Sequence, residues 1–142
     1  MQEPPSDKYN WVTAMRTLWL QRGIKLEPGV PLTEIEATEL NVGIQFPSDM
    51  KELYQVVNGF KDSDMDLSSM ISIWSIERIR EEHLASPDKN FVGFCDYLIN
   101  SHSIGFFKDR SGIYKSYDEF NPIAYSFTEV IEFINNDDDI IL

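Results

Sequence analysis

The chain of 142 residues has a single cysteine, Cys95, so no intramolecular disulfide can form. It has no apolar run near the roughly 18 residues that a membrane span requires. Its first residues, Met1-Gln2-Glu3-Pro4-Pro5-Ser6-Asp7, lack the basic patch and apolar stretch of a secretory signal. Together these absences point to a reducing, cytoplasmic setting and away from the membrane. Basic residues are scarce: 12 Lys and Arg stand against 24 Asp and Glu, a formal net charge of −12. They are spread singly along the chain, so no basic patch offers itself to nucleic acid or anionic lipid. Catalytic signatures are missing as well. The chain has no Gly-rich phosphate loop, no His-Glu-x-x-His, no Gly-x-Ser-x-Gly and no Cys-x-x-Cys, and no cofactor is implied.

Apolar residues are plentiful. Hydrophobic residues make up 42% and aromatics 13%, which excludes a mainly disordered chain. A single domain of this length buries about two-thirds of its unfolded surface, enough for a core without metals or disulfides. The expected organisation is a leader over residues 1–8, one domain over 9–136 and an acidic end over 137–142.

Trp11, Met15, Leu18 and Trp19 recur with helical period, predicting a helix from about Asp7 to Arg22 that stops at Gly23. The stretch from Leu26 to Pro31 reads as a linker. Thr33 with Glu36 forms a capping-box pattern before a short helix carrying Ile35 and Leu40. After Phe46-Pro47, a helix capped by Ser48 or Asp49 buries Met50, Leu53, Tyr54 and Val57, with Asn58-Gly59 as its end. Lys61 to Ser69 reads as an exposed polar loop; Met70 to Trp74 as a strand; Ser75 to Leu84 as a short helix.

The second half changes character. Phe91 to Tyr97, Ile104 to Lys108, Ile113 to Tyr117 and Ile123 to Tyr125 are short, aromatic and β-branched, which predicts strands. Asp109-Arg110-Ser111-Gly112 supplies hairpin chemistry. Ser126 with Glu129 caps a last helix carrying Phe127, Val130, Ile131 and Ile134. The sum is an α+β domain: N-terminal helices, a mainly antiparallel meander, and a C-terminal helix packed on it.

Few residues offer chemistry. Cys95 with His83 or His102 would make a thiolate–imidazole pair, but Cys95 lies in the apolar run Phe91-Val92-Gly93-Phe94-Cys95, where an inert buried thiol is expected. Asp62, Asp64 and Asp66 alternate like the start of a calcium loop. Positions 6 and 12 counted from Asp62 are Leu67 and Ile73, however, where such a loop needs Gly and Glu. The aromatics Trp74, Tyr97, Tyr114, Tyr117 and Tyr125 lie on or beside strands, where alternation buries some in the core and leaves others exposed to serve as protein-interface anchors. An acidic surface speeds the approach of a basic protein. Asp62, Asp64, Asp66, Trp74 and Asp96 are accordingly the candidate partner-binding residues.

The order Glu39, Gly43, Phe46-Pro47, Leu53-Tyr54 and Asn58-Gly59 resembles the SUKH superfamily, named partly for the Smi/Knr-type regulator of yeast cell-wall glucan synthesis. Ile73-Trp74-Ser75, the segment from Phe91 to Leu98 and the closing stretch from Ser126 to Ile134 extend the resemblance to roughly residues 11–135. Phe46 departs from it, standing where Leu is commonest, and the leader and acidic end lie outside it. The resemblance implies an α+β fold and no catalytic residues. Bacterial members of that superfamily mostly look like immunity proteins that neutralise toxins, often nucleases, by binding them; the yeast members are regulatory and interaction proteins of cell-wall assembly and signalling. The function expected on that basis is non-enzymatic binding of a basic toxin domain, with a regulatory scaffold as the alternative.

Overall fold

The computed structural model describes the backbone of residues 7–142 and the side chains of residues 11–142. The expected leader lies outside the described residues up to position 6, and Asp7 and Lys8 already belong to the first helix. That helix, α1 (Asp7–Gln21), buries Val12 and Trp19 and half-buries Trp11, Met15 and Leu18. Gly23 follows it at φ 77, a left-handed conformation that glycine adopts freely. Trp19 donates its indole N–H to Asn135 Oδ1 at 2.8 Å and packs edge-on to Phe60.

Beyond Gly23 the chain is not a linker. Leu26–Pro28 forms strand β1, paired antiparallel with β2 (Val57–Phe60). Pro28 closes the pairing at an edge, where its missing N–H costs no ladder bond. The helix α2 (Leu32–Val42) starts directly after Pro31, with no side-chain cap. Thr33 is already inside the first turn, so the capping box expected with Glu36 does not form. Ile35 is buried as expected, whereas Leu40 is 87% exposed. Five helical positions separate the two by about 140° of rotation, so one face cannot bury both.

The next helix, α3 (Ser48–Tyr54), is entered from Pro47, and neither Ser48 nor Asp49 caps it. Asp49 instead accepts the Thr128 N–H and hydroxyl, both at 2.9 Å, in the first turn of α5 (Phe127–Asn135). There it joins Ser126, whose Oγ accepts the Glu129 N–H as predicted. Nor do Asn58 and Gly59 end α3; they lie within β2. Their backbone and side chains serve a different junction, described below.

The larger sheet is an antiparallel meander in the order β3 (Ile71–Ile73), β4 (Phe91–Tyr97), β5 (His102–Phe107) and β6 (Tyr114–Lys115). The expectation for Phe91–Tyr97 matches β4. The stretch from Ile113 to Tyr117 shrinks to two residues, and Ile123 to Tyr125 to a single bridge between Ile113 and Ala124. In the β5–β6 turn, Arg110 pairs with Asp109 at 3.0 Å and holds its carboxyl down to about 2. Between β3 and β4 runs α4 (Ile76–Ala85), capped by Ser75. The C-terminal helix α5 packs on the sheet through Phe127, whose ring lies 5.1 Å from that of Phe94. An α+β architecture with a meander and a closing helix is therefore what the chain adopts.

The acidic end also folds back. Ile141 is fully buried, its carbonyl lies 2.8 Å from His102 Nε2, and the Leu142 carbonyl accepts the Tyr117 hydroxyl at 2.6 Å.

Two glycines make a paired test of this packing. A Cβ on Gly59, at φ 75, would come within 2.5 Å of the Trp74 backbone carbonyl carbon, whereas one on Gly23 meets nothing within 4 Å. Gly59→Ala is expected to cost about 2–4 kcal/mol in urea unfolding, because strain and overpacking combine there. Gly23→Ala should cost only about 1–2 kcal/mol, the left-handed penalty alone.

Candidate functional site

The turn from β3 into α4 is gripped from three sides. Tyr54 at the end of α3 donates its hydroxyl to the Trp74 carbonyl at 2.5 Å. Asn58 in β2 accepts the Ile76 N–H at 2.9 Å and donates to Glu77 at 2.7 Å, so it supplies a cap to α4 from another element. Gly59 beside it lets the two backbones touch. Burial pushes the Tyr54 hydroxyl well above its ordinary value, assisted by Cys95 and Glu77, so it stays a donor. A separate tie lies elsewhere: Glu39 accepts the Phe46 N–H at 2.6 Å and pairs with Lys51 at 2.9 Å, fixing the loop between α2 and α3.

Trp74 occupies the centre. Its indole N–H donates to Asp96 Oδ1 at 2.7 Å, and the guanidinium of Arg78 lies 4.6 Å over its ring. The second Asp96 oxygen accepts the Asn100 N–H at 2.7 Å, and Arg78 reaches both Asp96 at 3.5 Å and Asn100 Oδ1 at 3.3 Å. Arg78 is thus committed inward. A cleft of about 360 Å³ opens on one side, lined by Glu27, Phe60, Asp62, Ser63, Glu77 and Glu81 beside Trp74 and Arg78. A second, of about 290 Å³, reaches from Trp74 past Glu82 and Asn100 to His102. Among the described residues no ion pair is made by Glu27, Asp62 or Glu81. The first cleft therefore carries uncompensated negative charge.

Of the five candidate partner-binding residues, the structure brings Trp74, its bonded Asp96 and, across the first cleft, Asp62 together, and turns Asp64 and Asp66 elsewhere. Asp62 is exposed and lines the first cleft. Asp64 is half-buried and accepts the Lys25 N–H at 2.8 Å. Asp66, Trp74 and Asp96 are buried, which corrects their reading as surface residues. Asp66 pairs with Arg22 at 2.7 Å, tying the loop to α1, and Arg22 also donates to the Asn135 carbonyl. A carboxylate of a short polar loop can turn inward wherever a cation from another element meets it, which composition does not reveal. Among the described residues no group of three His, Cys, Asp or Glu side chains gathers as a metal site, and the three loop aspartates diverge.

Other expectations resolve as simply. Cys95 is buried, and burial with Asp96 nearby pushes its thiol well above the ordinary value, which leaves no thiolate. Of the strand aromatics, Trp74 and Tyr114 are buried, Tyr97 is half-buried, and Tyr117 and Tyr125 are exposed. Glu27, Glu77, Arg78 and Glu81 were not singled out from sequence. The signal for two of them was present, because Glu77 and Glu81 stand at i, i+4 and share a helix face.

Fold and site define a class: an α+β domain in which Glu39 fixes the α2–α3 loop at Phe46 while Asn58-Gly59 brace a junction at a buried tryptophan. The model of the SMI1 / KNR4 family (SUKH-1) matches residues 29–133, more than half of the chain, and the chain belongs to that family. No curated protein matches it.

The site generates two predictions. Asp96→Asn offers one oxygen to two buried or half-buried donors, Trp74 Nε1 and the Asn100 N–H, and should cost about 2–3 kcal/mol in urea unfolding. The same variant should become sensitive to proteolysis at residues 98–101. Burial lowers His102 from its ordinary value of 6.5, although the Ile141 carbonyl opposes the shift. The unfolded chain therefore binds this proton first as pH falls. Stability from His102 is complete above the ordinary imidazole range and is lost as pH drops through it toward the folded value. The urea midpoint of His102→Gln should vary less than that of the parent between about pH 7.5 and 5.

Proposed function

We propose that this member of the family is a non-enzymatic, cytoplasmic binding protein that neutralises a basic toxin domain by occupying its active site or substrate groove. The observation that carries the reading is the cleft in which Glu27, Asp62, Glu77 and Glu81 stand around one inward-committed guanidinium. Carboxylates held on a rigid frame present a basic groove with the charge pattern it would otherwise receive from phosphates. A formal net charge of −12 adds long-range attraction to such a partner. The start of α4, which carries Glu77 and Glu81, is held in place because the β3–α4 turn is fixed by Tyr54, Asn58 and Asp96. No helix among the described residues is long and apolar enough to cross a membrane.

The test is calorimetry and stopped-flow association with the C-terminal domain encoded by any large neighbouring gene. A one-to-one complex that weakens with salt and abolishes toxin activity is expected. The triple change Glu27→Lys, Asp62→Lys and Glu81→Lys should slow association at least about tenfold and flatten its salt dependence. Asp66 is left untouched, since losing its pair with Arg22 would destabilise the frame. Tight binding to a partner without toxic activity would transfer the role to the regulatory scaffold of cell-wall or signalling pathways.

A further inference from the structure

At the end of β4 the chain makes a turn that its sequence does not favour. Leu98, Ile99 and Asn100 take φ values of 50, 52 and 65 in succession, all in the left-handed region. Asn tolerates that region; a leucine does so poorly, and a β-branched isoleucine least of all. Neither apolar side chain is compensated by burial, since Leu98 is 44% and Ile99 74% exposed. The conformation is nonetheless held firmly. Asp96 accepts the Asn100 N–H, Arg78 reaches Asn100 Oδ1, the Leu98 N–H donates to the Met70 carbonyl at 2.9 Å, and the Ser101 N–H donates to the Tyr97 carbonyl at 2.9 Å. A turn strained in its backbone, costly in exposed apolar surface and held by four contacts has the marks of a site shaped for something else.

Its surroundings indicate what that is. Asn100 lines the second cleft, and Arg78, bonded to it, lines the first, so the turn stands on the rim between the two. The loop closed by the Asp66–Ile71 bridge lies at the same end of the sheet, and its Leu67 is 80% exposed. Carboxylates line the clefts on both sides: Glu27, Asp62, Glu77 and Glu81 in the first, Glu82 in the second. An occupant complementary to this surface bears cations beside aliphatic groups.

Resting on the binding role proposed above, we infer that the Leu98–Ile99 turn is the apolar anchor of the docking surface and takes an amphipathic basic segment of a protein partner, its aliphatic side chains against the turn and its cations over the flanking carboxylates. Apolar anchors ringed by complementary charge carry much of the affinity in such interfaces, with the charges setting approach and register.

The test titrates a synthetic amphipathic lysine–leucine peptide into the ¹⁵N-labelled full chain, with a lysine–serine peptide of equal charge as control. Shifts should centre on Leu98 to Ser101, Ser63 and Arg78, and the control should bind at least about tenfold more weakly. Ile99→Gly and Ile99→Asn remove the anchor while relaxing the backbone. Both should raise the urea midpoint of the free chain yet weaken the leucine peptide about tenfold. Equal binding of the two peptides, shifts centred elsewhere on the acidic surface such as Asp137 to Asp139, unchanged affinity in both variants, or a lowered midpoint in both would overturn the inference. Failure to neutralise a toxin, with the peptide results intact, removes the immunity reading alone. Full neutralisation by Ile99→Gly removes this anchor alone.

Discussion

The contact between Asn58-Gly59 and the Trp74-Ser75-Ile76 turn is the constraint on which the rest of the architecture depends. It brings the backbone of the small sheet against the start of α4 so closely that no Cβ fits at Gly59. It supplies α4 with a cap that its own sequence provides only in part, since Ser75 reaches the Arg78 N–H and Asn58 the Ile76 N–H. With the turn fixed, Trp74 can aim its indole at Asp96, and Asp96 can in turn order the end of β4. Three segments distant in sequence are thereby set relative to one another through polar groups that are all satisfied. Among the described residues no buried side-chain nitrogen or oxygen is left without a partner.

Charge distribution follows from the same economy. Asp49, Asp66, Asp96 and Glu39 each meet donors from another element, and their carboxylates are part of the scaffold. The carboxylates left for solvent stand on different elements, Glu27 on β1, Asp62 on the loop after β2, and Glu81 on α4. Only folding assembles them. A formal charge of −12 is therefore a poor guide to location, although it is a fair guide to the sign of the potential a partner meets.

What the sequence made legible follows the same division between local and distant causes. Helices α1 and α5 could be read because period and caps are local: Trp11 to Trp19 for one, Ser126 with Glu129 for the other. Strand β4 was legible from its aromatic and β-branched run. Strands β1 and β2 were not. Their residues include Pro28, Asn58 and Gly59, which usually punctuate elements, and only their mutual pairing and the approach of Trp74 make them strands. The Asp49 cap misled for a related reason: it serves a helix 79 residues further on. Within the candidate site, Asp62 could be read as exposed because it sits in a polar loop, while the burial of Trp74 and Asp96 depended on a cross-strand partner that spacing alone cannot supply.

The larger sheet ends in very short strands, β3 with three residues at one side and β6 with two at the other. An edge of that length exposes too few unpaired amides to template another chain. Adding a strand at β3 or β6 is disfavoured on that ground, and under the binding role proposed above recognition would fall to side chains on loops and on α4. Such surfaces can be rewritten residue by residue while the hydrogen-bonded frame stays as it is, so that one scaffold can follow a changing partner without refashioning its core.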